Sequence, residues 1–270
     1  MMANRVFPQP LQPVCFFPAA QRFELILQPY SVCLSLSCKI HRVKPFELLG
    51  QTLTPDGTTL KLVRRDHEYI MLAGGKPLMS SRTHGSEQAL ATIACEPVRT
   101  IPRCGVLIGG LGMGFTLRMA LDALRPDAEV VVAELVPAVV EWNQGPLGPL
   151  AGNPLADPRV RISVADVGDV LRESRGRFDA VLLDVDNGPA AFSSAENSRL
   201  YSERGLASAR MALKPGGVLA IWSAQEDRKF EQRMRRGKFE VRVEHLRGRL
   251  KKGGPRHVIY LGQKSSRPDS

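Results

Sequence analysis

A glycine-rich turn in the middle of the chain is the first feature that could bind a ligand. The segment Val106-Leu-Ile-Gly-Gly-Leu-Gly-Met-Gly114 places Gly110, Gly112 and Gly114 between an apolar run and a helical pattern. Glycine lets the backbone approach a ligand closely, and the amino end of a helix favours electron-rich groups. A dinucleotide-binding loop would carry glycine or alanine where Phe115 stands. The spacing therefore favours a ligand of the adenosylmethionine type, with a purely structural turn as the alternative.

Three carboxylates each close a short apolar segment: Glu134, Asp166 and Asp184. A carboxylate at the end of a second strand can bind a ribose diol through two charge-assisted hydrogen bonds, which is the role predicted for Glu134. Asp166 could accept a hydrogen bond from an adenine amino group or cap the helix that follows it, and both alternatives stay open. Asp184 could accept a proton from an attacking amine.

Two further polar residues follow Asp184 directly. The segment Asp184-Val-Asp-Asn-Gly-Pro189 adds Asp186 and Asn187 beside a Gly-Pro turn. Both side chains could bind a polar acceptor, or they could stabilise the turn through hydrogen bonds to its backbone.

The elements that must position these residues alternate between strand and helix after Arg103. The predicted strands are Gly105–Gly110, Val130–Glu134, Val160–Asp166, Phe178–Asp184 and Val218–Ser223. The predicted helices are Thr116–Leu124, Pro137–Asn143, Val167–Glu173, Leu200–Leu213 and Asp227–Arg235. Near-continuous apolar strands are typical of parallel sheets that are covered on both faces. Two final strands, Glu240–Leu246 and His257–Leu261, should be antiparallel because their connection is too short for a crossover helix.

This order predicts an α/β fold with the doubly wound sheet of class I adenosylmethionine-dependent methyltransferases. Five parallel strands would be followed by an antiparallel carboxyl-terminal hairpin, with a small β unit ahead of the sheet. Ligands of such sheets lie at the carboxyl ends of the strands. The glycine-rich turn, Glu134, Asp166 and Asp184 should therefore surround one crevice.

The chain divides into four predicted parts. Residues 1–42 have scattered prolines and no sustained period, so a disordered extension, a targeting arm and translation from upstream of a natural start near Val43 all fit them. Residues 43–100 should form a β-hairpin unit and a helix, with strands at Thr58–Val63 and Glu68–Leu72 and the helix at Ser86–Cys95. Residues 101–264 should form the adenosyl-binding domain, and residues 265–270 a tail.

The charge, the cysteine content and the apolar runs of the sequence indicate whether nucleic acid, a metal or a membrane is an expected partner. The net charge of +10 is concentrated in residues 225–270, which hold 14 basic and 6 acidic residues. This region could bind nucleic acid, although a solvated basic face is the alternative, and only Phe230 and Phe239 are available for base stacking. The chain has 5 cysteines without a CxxC pair, which predicts no metal site and a cytoplasmic location. It has no apolar run long enough for a membrane span, and homodimerisation stays open.

The stretch from Pro102 to Ser223 resembles the spermidine synthase-like group of polyamine aminopropyltransferases. The matching segments are Leu107-Ile-Gly-Gly-Leu-Gly-Met-Gly-Phe-Thr-Leu-Arg118, Asp157-Pro-Arg-Val-Arg161, Phe178-Asp-Ala-Val-Leu-Leu-Asp184 and Leu213-Lys-Pro-Gly-Gly-Val-Leu219. The resemblance implies transfer of an aminopropyl group from decarboxylated S-adenosylmethionine to a polyamine amine. It also implies that Glu134 holds the ribose, Asp166 the adenine and Asp184 the proton.

The chain departs from this family in the residues around the acceptor. Family enzymes carry Asp-Ser-Ser-Asp-Pro at the fourth strand, and the second aspartate of that motif falls on Asn187 here. They also carry an Asp-Glu…Tyr-His-Glu segment ahead of the sheet, of which this chain keeps Glu87. Asp186, Asn187 and Glu87 are therefore the candidate acceptor-binding residues.

The sequence thus predicts a transferase that binds S-adenosylmethionine or its decarboxylated form, without a metal, and alkylates a small-molecule acceptor. Asp184 is the predicted catalytic residue. Two other functions stay open: a methyltransferase acting on an anionic or nucleic-acid acceptor, which the basic carboxyl-terminal region favours, and a non-catalytic adenosyl-binding module, which the altered acceptor motif favours.

Overall fold

Two β-sheets and six helices organise the part of the chain that the structure, a computed structural model, describes. That part comprises residues 44–185, 188–189, 199–247 and 256–266. Predictions about residues 1–42 lie outside it, and the proposed start near Val43 stays a hypothesis. None of the helices in these ranges has the length and apolar character of a membrane span.

The first sheet is antiparallel and has four strands in sequence order. Its strands are β1 (Glu47–Leu53), β2 (Thr59–Arg65), β3 (Glu68–Ala73) and β4 (Lys76–Ser80). The predicted hairpin corresponds to β2 and β3, and the structure adds a strand on each side of it. Both added strands are short and half-exposed, so they lack the clear alternation of apolar residues by which a strand is recognised in a sequence.

The second sheet has seven strands and carries the predicted crevice. Its strands are β5 (Gly105–Gly109), β6 (Glu129–Glu134), β7 (Val160–Val164), β8 (Phe178–Leu183), β9 (Leu213–Ser223), β10 (Phe239–Arg247) and β11 (Arg256–Lys264). The order is β10-β11-β9-β8-β5-β6-β7. Strand β11 is antiparallel to both of its neighbours, β10 and β9, and the five strands from β9 to β7 in this order are parallel to one another. This confirms the predicted fold class. The strand order reverses at β5, where open sheets of this kind bind their ligands.

Helices cover both faces of this sheet because alternate residues of each strand point to opposite sides. The helices are α1 (Gly85–Cys95), α2 (Phe115–Ala123), α3 (Pro137–Gln144), α4 (Val167–Glu173), α5 (Glu203–Ala212) and α6 (Arg228–Arg236). One apolar core joins α1, α2 and α3 to one face, and a second joins α4, α5 and α6 to the other. We call the face that α1 covers the α1 face.

Two predicted boundaries at α5 and β9 were wrong. The helix begins at Glu203 rather than Leu200, because Ser202 caps it and accepts a hydrogen bond from the Gly205 amide. Strand β9 begins at Leu213 rather than Val218. The register between β8 and β9 shifts after Leu213, and Gly216 has a φ of +80°. The Lys-Pro-Gly-Gly segment is thus a bulge within the strand, which glycine accommodates without strain.

The Asp-Pro-Arg-Val segment ahead of β7 forms a local clamp. Asp157 accepts hydrogen bonds from Nε and Nη2 of Arg159, at 2.9 and 2.8 Å. Nη1 of Arg159 donates to the carbonyl oxygens of Leu124 and Arg125, at 3.2 and 3.1 Å. The hydrogen bonds from Arg159 lower the pKa of Asp157 to about 2. The pair therefore fixes the entry of β7 against the end of α2.

This clamp should make stability depend on pH at the acidic end. Because the folded pKa of Asp157 lies below its ordinary value, its contribution is present above about pH 4 and is lost as the pH falls towards about 2. We expect Asp157→Asn to lower the free energy of unfolding by about 1–2 kcal/mol at pH 7 and by about a third of that at pH 2.5. Denaturant unfolding at both pH values measures this, with Asp169→Asn in an exposed ion pair as the control. An equal loss at both pH values would contradict the account.

Candidate functional site

The glycine-rich loop after β5 is held in a conformation that only glycine adopts readily. Gly110 and Gly112 have φ angles of +88° and +53°. A Cβ atom on Gly110 would lie 2.4 Å from the carbonyl oxygen of Asp184, and one on Gly112 would lie 2.9 Å from Cε of Met79. The loop therefore fits between the end of β8 and the side chain of Met79 in β4, with no room for larger residues.

Glu134 ties this loop to the end of β6. Its Oε2 atom accepts a hydrogen bond from the amide of Leu111, and its Oε1 atom accepts one from the amide of Val136, both at 2.9 Å. The side chain is buried, at 7% exposure. Both carboxylate oxygens therefore take part in holding the loop and the chain after β6. The residue predicted to hold a ribose thus has an observed role in fixing the loop, and the ribose contact stays a prediction.

Asp166 caps helix α4. Its Oδ1 atom accepts a hydrogen bond from the amide of Gly168 at 2.6 Å, which is one of the two alternatives that the sequence left open. The neighbouring Val167 lies against the glycine loop, because a Cβ on Gly109 would be 2.8 Å from its Cγ2 atom. The cap therefore stands beside the crevice, and its second oxygen could still reach an adenine amino group.

Asp184 follows β8 directly and lies at the carboxyl edge of the sheet. Its amide donates to the carbonyl of Gly109 at 2.9 Å, and its Oδ2 atom accepts a hydrogen bond from the hydroxyl of Thr116 at 2.6 Å. Burial raises the pKa of Asp184 to about 6, and the Thr116 hydrogen bond opposes that rise. A carboxyl group with a pKa of about 6 is ionised at neutral pH and still accepts a proton readily.

Glu87 is the second carboxyl group of the site. It lies in the first turn of α1, which packs against α2 and against strands β8 and β9. Burial and the charge of Asp184 raise the pKa of Glu87 well above its ordinary value. The fold thus brings together two residues that are far apart in the chain, and the charge of Asp184 disfavours ionisation of Glu87.

The other predicted acceptor residues, Asp186 and Asn187, lie outside the described residues. The sequence also left several neighbours of the site unrecognised. Thr116 was placed on a helix without a role, and Ser86, Trp222 and His257 were not considered. Only Trp222 gave a signal, since a large aromatic residue near the end of a predicted central strand lies where such sheets bind ligands.

The basic carboxyl-terminal region is partly used in internal contacts. Arg235 pairs with Glu231 at 2.7 Å, and Nη1 of Arg233 donates to the carbonyl of Tyr201 at 3.0 Å. Most of the basic residues between β10 and β11 lie outside the described residues. Binding of nucleic acid through this region stays a prediction.

Comparison with known proteins agrees with the resemblance seen in the motifs. The chain is 28% identical over 191 residues to a polyamine aminopropyltransferase of Leptospira biflexa, which covers 69% of this chain and 58% of that protein. It is 34% identical over 132 residues to polyamine aminopropyltransferase 1 of Streptomyces coelicolor, covering 47% of this chain and 24% of that one. No family model matches the chain. The resemblance to this group is confirmed, and the chain spans somewhat more than half the length of the first of these relatives.

Solved structures support the fold. The spermidine synthase of Thermotoga maritima superposes with a TM-score of 0.64 at 19% identity, covering 82% of this chain and 74% of that one. At this identity the likeness shows the arrangement of the elements, including the small β unit ahead of the sheet.

Because burial raises the pKa of Asp184, substitution of this residue by a neutral one should stabilise the folded protein at neutral pH. Because the folded pKa lies above the ordinary value of about 3.8, the folded protein loses stability as the pH rises from about 4 to about 6. We expect Asp184→Asn, which keeps an acceptor for Thr116, to raise the free energy of unfolding by about 1–2 kcal/mol at pH 7.5 and by little at pH 4. Thermal unfolding at both pH values measures the difference. A variant less stable than the parent at pH 7.5 would contradict the burial argument.

Proposed function

We propose that this chain is a transferase that moves an aminopropyl group from decarboxylated S-adenosylmethionine to an amine acceptor. The observation that carries the proposal is the Glu87–Asp184 carboxyl pair beside the glycine loop, at the strand edge where such sheets bind ligands. The sequence similarity to polyamine aminopropyltransferases supports the same reaction class.

The residues around the crevice fit a nucleoside. Glu134 is a buried carboxylate at the end of β6, fixed by two backbone amides, and this is the position from which a carboxylate binds a ribose diol in such sheets. Gly110 and Gly112 bring no side chains of their own to the loop, which follows β5 at the point where the strand order reverses. Asp166, held by its helix cap, keeps one oxygen for an adenine amino group. No metal takes part in this proposal.

When bound, the sulfonium nucleoside supplies an electrophilic carbon, and its sulfur leaves with the electron pair of the broken carbon–sulfur bond. The residues of the chain bind and deprotonate the acceptor. An amine that arrives as an ammonium ion would be held by the carboxyl pair, because a positive charge relieves the repulsion between Glu87 and Asp184. Asp184 would then accept the ammonium proton, which frees the nitrogen lone pair for the new carbon–nitrogen bond.

Burial and the Thr116 hydrogen bond change the pKa of Asp184 in opposite directions. The Thr116 hydroxyl stabilises the ionised form through its hydrogen bond, whereas burial in the same site favours the neutral form. The proximity of Glu87 adds a second carboxyl that disfavours a further negative charge. We therefore expect the site to bind one positive charge more readily than a bare surface carboxylate would.

Two alternatives remain distinguishable from this proposal. A methyltransferase with an anionic or nucleic-acid acceptor is favoured by the basic residues of the carboxyl-terminal region and predicts turnover with S-adenosylmethionine itself. A non-catalytic adenosyl-binding module predicts nucleoside binding without turnover of any acceptor.

Substitution of Asp184 tests the proton acceptor. We expect Asp184→Asn to lower kcat/KM by at least about a hundredfold, the usual contribution of a general base, while nucleoside affinity changes little. In the parent protein kcat/KM should rise with pH around 6, and Thr116→Val should move that rise to higher pH because a bond that lowers the pKa of Asp184 is lost. A pH–rate profile measures this. Thr92→Val removes an exposed hydroxyl of α1 and serves as the control.

Two outcomes would contradict the assignment. Turnover by Asp184→Asn at the parent rate would remove Asp184 from the chemistry. If Thr116→Val had the same pH–rate profile as the parent, the ionisation in that profile would not belong to an Asp184 that accepts a hydrogen bond from Thr116.

A further inference from the structure

A row of side chains extends from Asp184 across the α1 face of the sheet. Along β8, Ala180 and Leu182 point into the α1-face core, so the alternation of the strand directs Asp184 to the same side. Along β9, Val218 and Ala220 point the same way, and Trp222 also packs against this core. Because Leu183 pairs with Ile221 in the parallel register, Asp184 and Trp222 lie side by side on neighbouring strands.

An aromatic pair continues this row on β11. Trp222 and His257 contact edge to face, with ring centroids 4.8 Å apart and an interplanar angle of 63°. Nδ1 of His257 lies 2.9 Å from the hydroxyl of Ser86. Ser86 directly precedes Glu87 in α1. The first turn of this helix therefore contacts His257 of the aromatic pair and carries Glu87 of the carboxyl pair. We call Ser86, Trp222 and His257 the aromatic wall.

The aromatic wall is uncharged but has an unused donor. The indole Nε1 atom of Trp222 is buried and has no hydrogen-bond partner among the described residues. An unsatisfied buried donor is costly, which makes it a candidate for contact with a ligand. Burial lowers the pKa of His257, which therefore favours its neutral form. The described side chains of the aromatic wall thus carry no carboxylate.

We infer that the aromatic wall selects the acceptor, and that the acceptor has a single ammonium group at the Glu87–Asp184 pair followed by an uncharged segment with a hydrogen-bond acceptor facing the indole N–H of Trp222. This inference rests on the proposed transferase function and specifies its acceptor class. A second ammonium group along the aromatic wall would lose its water without gaining a carboxylate from Ser86, Trp222 or His257, and the indole N–H would point positive charge towards it. A hydroxyl or carbonyl oxygen at that place would satisfy the unused donor.

The test compares three primary amines of equal chain length in a steady-state assay of the full chain with decarboxylated S-adenosylmethionine. They are putrescine, the amino alcohol in which a hydroxyl replaces one of its amines, and n-butylamine. We expect kcat/KM for the amino alcohol to exceed that for putrescine by about tenfold or more, because only putrescine must desolvate a second charge. This comparison uses the parent protein alone and needs no variant.

A variant of Trp222 tests whether its indole N–H causes the preference for the amino alcohol. Trp222→Phe keeps the ring and removes the N–H, so it should reduce the advantage of the amino alcohol over n-butylamine by about threefold to tenfold. Trp142→Phe is the matched control, since the chain has 2 tryptophans and Trp142 packs under β1 away from this row. It should leave both ratios unchanged.

The outcomes separate the inference from the function on which it rests. Faster turnover of putrescine than of the amino alcohol would overturn the inference and leave the transferase function standing. An unchanged ratio in Trp222→Phe would also overturn it. Absence of product from all three amines, while the nucleoside still binds, would overturn the proposed function and the inference with it.

Discussion

The close approach of two carboxyl groups at the edge of a parallel sheet is the constraint on which the site depends. Asp184 and Glu87 each lose water on folding, and the charge of Asp184 opposes ionisation of Glu87. Such a pair is unfavourable for stability unless another interaction holds it. Helix α1 is held over the sheet by Leu90 and Ala91, which are fully buried in the core of that face. This apolar packing offsets the unfavourable free energy of burying the two carboxyl groups.

The remaining parts of the site are attached to this pair through short connections. Thr116 belongs to the first turn of α2, which follows the glycine loop directly, and Gly110 lies under the carbonyl of Asp184. Glu134 fixes the other side of the same loop. A displacement of the loop would therefore change the ligand crevice and the hydrogen bond to Asp184 together. In the proposed reaction, nucleoside binding and proton acceptance would therefore be linked through the glycine loop.

The sequence predicted those features that depend on local pattern. The parallel strands were recognisable because buried strands are continuous apolar runs, and the helix cap at Asp166 was one of the two roles predicted for that residue. Strands β1 and β4 were missed because they are half-exposed, and the start of β9 was missed because a bulge at Gly216 interrupts the strand. The local spacing of apolar and polar residues does not predict how distant segments of the chain pack against each other.

The same limit applies to the site. Glu134, Asp166 and Asp184 follow strand ends, so topology alone predicts that they share an edge. The raised pKa of Asp184 arises instead from burial, and the electrostatic effect of Asp184 on Glu87 arises from how α1 packs across the sheet. The aromatic wall joins residues from α1, β9 and β11 and has no counterpart in any single motif. Its recognition required the register of three strands.

The most direct test of the central claim is a calorimetric titration of the full chain at neutral pH with S-adenosylmethionine and with its decarboxylated form. A carboxylate on the ligand would approach the Glu87–Asp184 pair, where negative charge is already disfavoured. The account predicts that the decarboxylated form binds at least about tenfold more tightly, and that Glu87→Gln reduces this preference. Tighter binding of S-adenosylmethionine itself would contradict aminopropyl transfer and favour a methyltransferase.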